Sequence, residues 1–315
     1  MNGGSLALFE GVLYWGLDRG REAAVRAHDL DGHPLEVELG PRPGAAASTS
    51  VSGLAVDPDR RLWLADTRAG LVRGYSLFGR EGATFTPTPG ELEAPAASYV
   101  DGPVDLAVAP GDTWTGLWVA SGGERRGAVG LYLPDGTRLA SLRSEGDPKK
   151  AFRRVVRLAV RGEELWVLEA GARRVQVFRR GEFHFLFDLP AAAGGARARA
   201  GGAGRSGRAG LGPRTWPRAL WPLSDGRLVL AVAGEEGDDA VLLLDHQGHL
   251  ERVLATGDGT DAEGRVLGPV DLVVEEATED RRARLALCDL EGARVQVFNL
   301  EGRCYGSFAA FGEDL

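Results

Sequence analysis

One hydrophobic pattern recurs along the chain. A short apolar run is followed by a turn, a second apolar run, another turn, and a third run that leads into a glycine turn. The first runs are Leu6-Ala7-Leu8, Leu54-Ala55-Val56, Leu106-Ala107-Val108, Leu158-Ala159-Val160, Leu220-Trp221-Pro222-Leu223 and Leu272-Val273-Val274. Their leading leucines stand 48, 52, 52, 62 and 52 positions apart. The second runs follow in step, among them Leu62-Trp63-Leu64-Ala65, Leu117-Trp118-Val119-Ala120, Leu165-Trp166-Val167-Leu168 and Leu285-Ala286-Leu287-Cys288. The third runs include Val72-Arg73-Gly74-Tyr75, Val129-Gly130-Leu131-Tyr132 and Val241-Leu242-Leu243-Leu244. Turns such as Asp31-Gly32, Asp135-Gly136 and Glu301-Gly302 come next. Glycine there supplies a positive φ cheaply, which predicts a hairpin into a fourth strand. No stretch keeps a helical period over three turns.

The pattern predicts six units of four strands, at about residues 4–40, 51–88, 103–143, 154–190, 216–256 and 269–312. A lone four-stranded sheet cannot bury its faces. Radial stacking of six sheets buries them and leaves only short edges. The expected fold is all-β: one domain over 1–315, a six-bladed β-propeller of four-stranded antiparallel blades. The first and sixth units each hold four strands, so the ring is expected to close without strand exchange.

Arg174-Val175-Gln176-Val177-Phe178 and Arg294-Val295-Gln296-Val297-Phe298 resemble the most recognisable segment of the NHL repeat. Leu62-Trp63-Leu64-Ala65-Asp66 and Gly53-Leu54-Ala55-Val56-Asp57-Pro58 resemble the same repeat. The resemblance runs from about residue 5 to 312, with blades one, three and five departing from the pattern. It implies the propeller fold. It implies no single activity, because NHL propellers serve as protein-binding, RNA-binding and catalytic scaffolds.

Composition narrows the partners. The chain has 315 residues, 43% hydrophobic and 26% charged, with a net charge of −8. That acidity argues against nucleic acid, whose phosphates it repels. No run approaches the ~20 apolar residues of a membrane helix. Residues 191–215 hold eight Ala, eight Gly, five Arg and no acidic residue, and account for the one long repeat interval. Such a segment has little apolar surface to offset its ordering entropy and reads as a flexible insertion. Its Arg197, Arg199, Arg205 and Arg208 form a candidate basic arm. Proline-bearing connections at 40–50 and 84–101 also join one unit to the next, so all these segments are expected on one face of the disc.

Two cysteines, Cys288 and Cys304, are too few for a secreted disulfide scaffold, and Met1 to Leu8 shows no leader pattern. A cytoplasmic chain with unbridged thiols is expected. The five histidines fall on third or fourth strands or the turns between them, away from the axis, so no metal is expected. Six-bladed lactone hydrolases of related fold hold a divalent cation with Asn and carboxylates. Here the only asparagines are Asn2 and Asn299, and that ligand set is missing. No cofactor motif is present.

Candidate chemistry lies where the first runs begin. The channel-lining positions are Ser5, Gly53, Asp105, Arg157, Ala219 and Asp271. Small residues are the usual NHL choice there, and Asp105, Arg157 and Asp271 depart from it. An arginine between two carboxylates reads as a buried ion network or as a ligand site at the channel mouth. A second polar ring, Asp66, Ser121, Glu169 and Asp289, ends the second runs. Carboxylates at such positions bond backbone donors of the following turn or, as a cluster, hold Ca²⁺. Trp63, Trp118 and Trp166 share one position and read as inter-blade packing. The functional reading is a non-catalytic, protein-binding scaffold. The alternatives are a small-ligand site or a hydrolase- or lyase-type enzyme at the channel mouth, and RNA binding through the Arg-rich loop. The oligomeric state is left open.

Overall fold

The computed structural model describes residues 4–18, 23–39, 50–77, 80–87, 102–109, 115–122, 127–142, 149–190, 214–235, 238–257, 262–289 and 293–309. Among them are 24 strands in six four-stranded antiparallel sheets. Blade one holds β1 (Gly4–Phe9), β2 (Val12–Asp18), β3 (Ala23–Asp29) and β4 (Pro34–Leu39). Blade two holds β5 (Gly53–Val56), β6 (Arg61–Asp66), β7 (Leu71–Ser76) and β8 (Glu81–Phe85). Blade three holds β9 (Pro103–Ala109), β10 (Gly116–Gly122), β11 (Gly127–Tyr132) and β12 (Arg138–Leu142). Blade four holds β13 (Val155–Arg161), β14 (Glu164–Glu169), β15 (Arg174–Arg179) and β16 (Glu182–Asp188). Blade five holds β17 (Thr215–Pro222), β18 (Leu228–Gly234), β19 (Ala240–Leu244) and β20 (Leu250–Thr256). Blade six holds β21 (Pro269–Glu275), β22 (Arg284–Asp289), β23 (Arg294–Phe298) and β24 (Cys304–Ala309). β17 starts at Thr215, the last residue assigned to the insertion by composition.

The first strands β1, β5, β9, β13, β17 and β21 lie side by side in that order, and β21 returns to β1. Every sheet consists of four consecutive strands, so the ring closes by contact and not by strand exchange. This is a six-bladed β-propeller.

Six apolar clusters fill the six gaps between blades. The recurring Leu-Ala-Val run is explained by its partner strand. Trp63, Trp118 and Trp166 pair with Ala55, Ala107 and Ala159 on the neighbouring first strands. A small residue opposite each indole leaves it room to turn into the wedge-shaped gap. At ~25 cal/mol per Å² and roughly 150–250 Å² per aromatic side chain, each indole contributes about 4–6 kcal/mol of burial. The hairpin glycines serve packing as well as turns. Gly32, Gly136 and Gly248 have φ of 89, 89 and 84°. A Cβ on them would strike Phe308, Phe85 and Phe187 of the preceding blade at 2.7, 2.6 and 2.3 Å.

In blades three to six the first strand carries a one-residue bulge, which skips Val104, Val156, Arg218 and Val270 in the pairing with the second strand. A bulge bends its strand and re-aims side chains. It immediately precedes the channel-lining position in each of these blades.

Candidate functional site

Ser5, Gly53, Asp105, Arg157, Ala219 and Asp271 share one register, opposite Gly16, Ala65, Ala120, Leu168, Ala231 and Cys288 of the second strands. Three of them are charged, and the fold brings those three together. Arg157 Nη1 lies 3.2 Å from Asp105 Oδ1 and 2.8 Å from Asp271 Oδ2. The same nitrogen donates to Ser5 Oγ at 3.3 Å, and Nη2 donates to the Leu6 carbonyl at 3.3 Å. Blade four thus reaches across the axis to blade one, with carboxylates from blades three and six beside it. Asp105, Arg157 and Asp271 are 0, 7 and 1% exposed. Their side chains fill the channel at this depth.

The carboxylates also fasten blade to blade. Asp271 Oδ2 accepts the Leu6 N–H at 2.7 Å and the Ser5 hydroxyl at 3.1 Å. Ser5 Oγ accepts the Leu54 N–H at 3.0 Å, and Asp105 Oδ2 accepts the Leu158 N–H at 2.6 Å. These bonds join blades six to one, one to two and three to four. Gly53 explains the gap in the series. A Cβ there would stand 2.5 Å from Asp105 Oδ1 and 2.8 Å from Asp105 Cα, so blade three approaches blade two only because residue 53 has no side chain.

One guanidinium facing two buried carboxylates leaves the cluster short of positive charge. Burial pushes the Asp105 carboxyl up to about 7; Arg157 pulls against this and Asp271 adds to it. Burial likewise raises Asp271, with Arg157 again opposing. Burial works against the Arg157 charge, yet the two carboxylates outweigh it and its pKa rises. Both hub carboxyls are thus shifted toward their protonated form relative to a free aspartate. Nearer the opposite face, Arg161 Nη1 lies 3.6 Å from Glu276 Oε1, a second pairing between blades four and six.

Asp66, Glu169 and Asp289 end the second strands of blades two, four and six. Each fastens the strap that enters its own blade. Asp66 Oδ1 accepts the Ser50 N–H at 2.9 Å, the Ser50 hydroxyl at 3.1 Å and the Ala69 N–H at 3.0 Å, and Oδ2 accepts Arg73 Nε at 3.2 Å. Glu169 Oε2 accepts the Arg153 N–H at 2.6 Å, while Oε1 accepts Arg174 Nε at 2.6 Å and Gln176 Nε2 at 2.7 Å. Asp289 Oδ2 accepts the Leu267 N–H at 2.9 Å together with Arg294 and Gln296, both at 3.2 Å. Among the donors just named, Ala69 belongs to the following turn, the place the sequence suggests for local donors. The other backbone donors precede the first strand, because radial stacking lays that strap over the end of the second strand. The Arg-x-Gln segments complete the clamp. Arg174 and Gln176 also donate to the carbonyls of Ala151 and Lys150, and Arg294 and Gln296 to that of Arg265. Ser121, the fourth expected member, is buried at the end of the same second-strand position in blade three.

Sequence reasoning missed Asp239, which stands between β18 and β19 of blade five and fastens the strap that enters the next blade. Its Oδ1 accepts the Gly234 N–H at 2.8 Å and its Oδ2 the Gly268 N–H of blade six at 2.7 Å. It lies outside the repeat alignment, so no spacing pointed to it. Ser5 and Gly53 were aligned with the hub but given no task, because the bonds they serve join residues about 50 or 270 positions apart.

Asn299 Oδ1 accepts the Glu301 and Arg303 N–H groups of its own turn. Cys288 and Cys304 are both free. Among the described residues no group of three or more His, Cys, Asp or Glu side chains stands together as a metal site. Arg197, Arg199, Arg205 and Arg208 lie outside the described residues. A cavity of about 550 Å³ sits at the rim between blades six and one, lined by Asp29, Asp31, Arg281, Arg282, Arg284 and Tyr305 among others. It does not coincide with the charged hub. Its Arg284 bonds Asp31 at 2.9 Å, and its Asp29 bonds His33 at 2.8 Å.

No family model matches the chain, and no curated protein matches it by sequence. Solved structures of similar fold include a nidogen/laminin complex, at TM-score 0.55 and 14% identity over 98% of this chain and 94% of that one. A gluconolactonase from Xanthomonas campestris is similar at TM-score 0.53 and 17% identity, over 96% of this chain and 84% of that one. A streptogramin B lyase is similar at TM-score 0.53 and 14% identity, over 99% and 84%. These likenesses show the fold. Their names differ: one is a nidogen/laminin complex, one a gluconolactonase and one a streptogramin B lyase, so no single activity follows from the fold.

Proposed function

We propose that this chain is an NHL-type propeller that binds a partner protein through one face of its disc, without catalysing a reaction. The observation that supports the reading is an asymmetry of connections. The segments joining one blade to the next are 12 to 26 residues long, at 40–52, 86–102, 143–154, 189–214 and 257–268, and all join strand ends at one edge of the ring. At the other edge the hairpin turns between strands are at most eight residues long. Long connections on a rigid scaffold are where binding surfaces are built. The charged residues at the hub and at the second-strand ends support it too. Each is buried and bonded into the framework, which suits a scaffold better than a reacting group.

The test is affinity capture from the source cell with mass spectrometry. One stoichiometric protein should be recovered, lost when residues 191–213 are replaced by a short Gly-Ser linker and retained by Arg60→Gln on the opposite edge. A chain that returns alone across several baits, or a partner kept by the loop replacement and lost by Arg60→Gln, overturns the reading.

A further inference from the structure

The cavity of about 550 Å³ at the rim between blades six and one serves neither the hub nor the straps. Its origin lies in the lengths of the hairpin connections. The first and second strands of blades one to six are joined by residues 10–11, 57–60, 110–115, 162–163, 223–227 and 276–283. The longest, of eight residues in blade six, stands beside the two-residue turn of blade one. Gly11 of that turn and the end of the long loop both line the cavity. A long loop beside a tight turn leaves open space where turns of equal length would pack. Loops carried on a rigid scaffold are where binding groups are added to a fold.

The groups lining this space are of two kinds. Arg284, Asp31 and Asp29 are engaged in the framework. Arg284 Nη1 bonds Asp31 of blade one at 2.9 Å, and its Nε lies 3.3 Å from Glu275. Asp29 Oδ1 accepts the Asp31 and His33 N–H groups, both at 2.9 Å, and Oδ2 faces His33 Nδ1 at 2.8 Å. Arg281, Arg282 and Tyr305 are not so engaged. The two arginines are adjacent in the long loop and exposed, and among the described residues neither guanidinium has a hydrogen bond or ion pair. Glu279 and Asp280 precede them in the loop, and neither is among the residues lining the cavity. Tyr305 is 46% exposed, the one aromatic among the large apolar side chains exposed in the described residues.

We propose that this cavity binds a small molecule in which a planar ring carries an oxyanion, with the ring against Tyr305 and the oxyanion on Arg281 and Arg282. The volume falls within the ~300–1,000 Å³ of small-ligand pockets. Stacking on the tyrosine covers apolar surface that is exposed in the free protein. Guanidinium forks match phosphate and carboxylate groups with paired hydrogen bonds. An oxyanion alone gains nothing from the tyrosine, and a ring alone gains little from the arginines, so the ligand needs both parts. The β1–β2, β3–β4 and β21–β22 connections all lie at the edge opposite the long blade-to-blade segments. The site is therefore separate from the protein-binding edge proposed above, and its test needs no partner.

Naphthyl phosphate and naphthoate are titrated into the full chain at constant ionic strength and pH 7.5, by calorimetry and thermal unfolding. Inorganic phosphate and naphthol serve as the separate halves. At least one of the two acids should bind saturably and raise the melting temperature, and each half should bind roughly tenfold more weakly or less. A stronger response to naphthyl phosphate assigns a phosphoryl ligand, and a stronger response to naphthoate a carboxylate; either supports the site. The three side chains are exposed, so their variants should fold as the parent does. Arg281→Gln combined with Arg282→Gln, and Tyr305→Ala alone, should each weaken binding by roughly tenfold, the scale of one lost charge-assisted hydrogen bond or stacked ring. Arg138→Gln, on the outer strand of blade three, should leave it unchanged. No saturable binding of either acid overturns the proposal. So does binding undiminished in either variant, and so does inorganic phosphate that binds as tightly as naphthyl phosphate, which marks an adventitious ion only.

Discussion

Replacing Arg157 by leucine removes the only cation among the described residues that is bonded to the two hub carboxylates. Asp105 and Asp271 are almost fully buried and contribute one backbone tie each to the next blade, so they cannot swing out to water. Removing one partner of a buried, hydrogen-bonded ion pair costs about 3–5 kcal/mol. An unfolding entropy of ~2.1 cal/mol/K per residue gives roughly 0.66 kcal/mol/K for a chain of this length, hence a fall in melting temperature of about 5–8 °C. The pH dependence separates charge from packing. A carboxyl held above its unfolded value binds its proton more tightly in the native state. The stability it contributes is complete below about pH 4 and is lost as the pH rises through the folded value, which for Asp105 is about 7. In the parent this loss amounts to at most about 4 kcal/mol, at ~1.36 kcal/mol per pKa unit. Without Arg157 both carboxyls rise further, so the deficit of the variant should be large at pH 8 and shrink by more than half at pH 5. Urea unfolding followed by tryptophan fluorescence, at both pH values, measures it. A deficit equal at pH 5 and pH 8 would refute the electrostatic reasoning, as would a variant as stable as the parent at pH 8.

Gly53→Ala should destabilise by about 1–3 kcal/mol, the usual cost of overpacking, because the new methyl group meets the backbone of Asp105 as well as its carboxylate; unchanged unfolding would show that blades two and three can separate freely. Glu169→Gln should cost about 2–4 kcal/mol by leaving the buried Arg174 without its carboxylate. It should also raise proteolytic cleavage in the strap at 149–154, and a chain cut no faster than the parent would remove the clamp. Burial raises the thiol pKa of both cysteines, most strongly in the fully buried Cys288. One thiol per chain, Cys304, should therefore react with an aromatic disulfide reagent in the native state and two after unfolding; Cys288→Ser leaving the native count unchanged confirms the assignment.

Much of the architecture could be read along the chain, because a propeller repeats one local pattern. Short apolar runs mark the strands, glycine turns mark the hairpins, and the spacing of leucines counts the blades. The repeat register also aligns Asp105, Arg157 and Asp271, since equivalent positions in a ring must face the same axis. Tertiary structure alone decided what those positions do. Blades three, four and six do not adjoin one another as a set, so the reach of Arg157 across the hub depends on the diameter of the closed ring. The carboxylates of Asp66, Glu169 and Asp289 also fasten the strap that precedes the first strand, because stacking folds that strap back over the blade. Asp239 stands outside the repeat pattern. Its bond to the Gly268 N–H exists only because blades five and six lie side by side, and such proximity is a property of the folded ring.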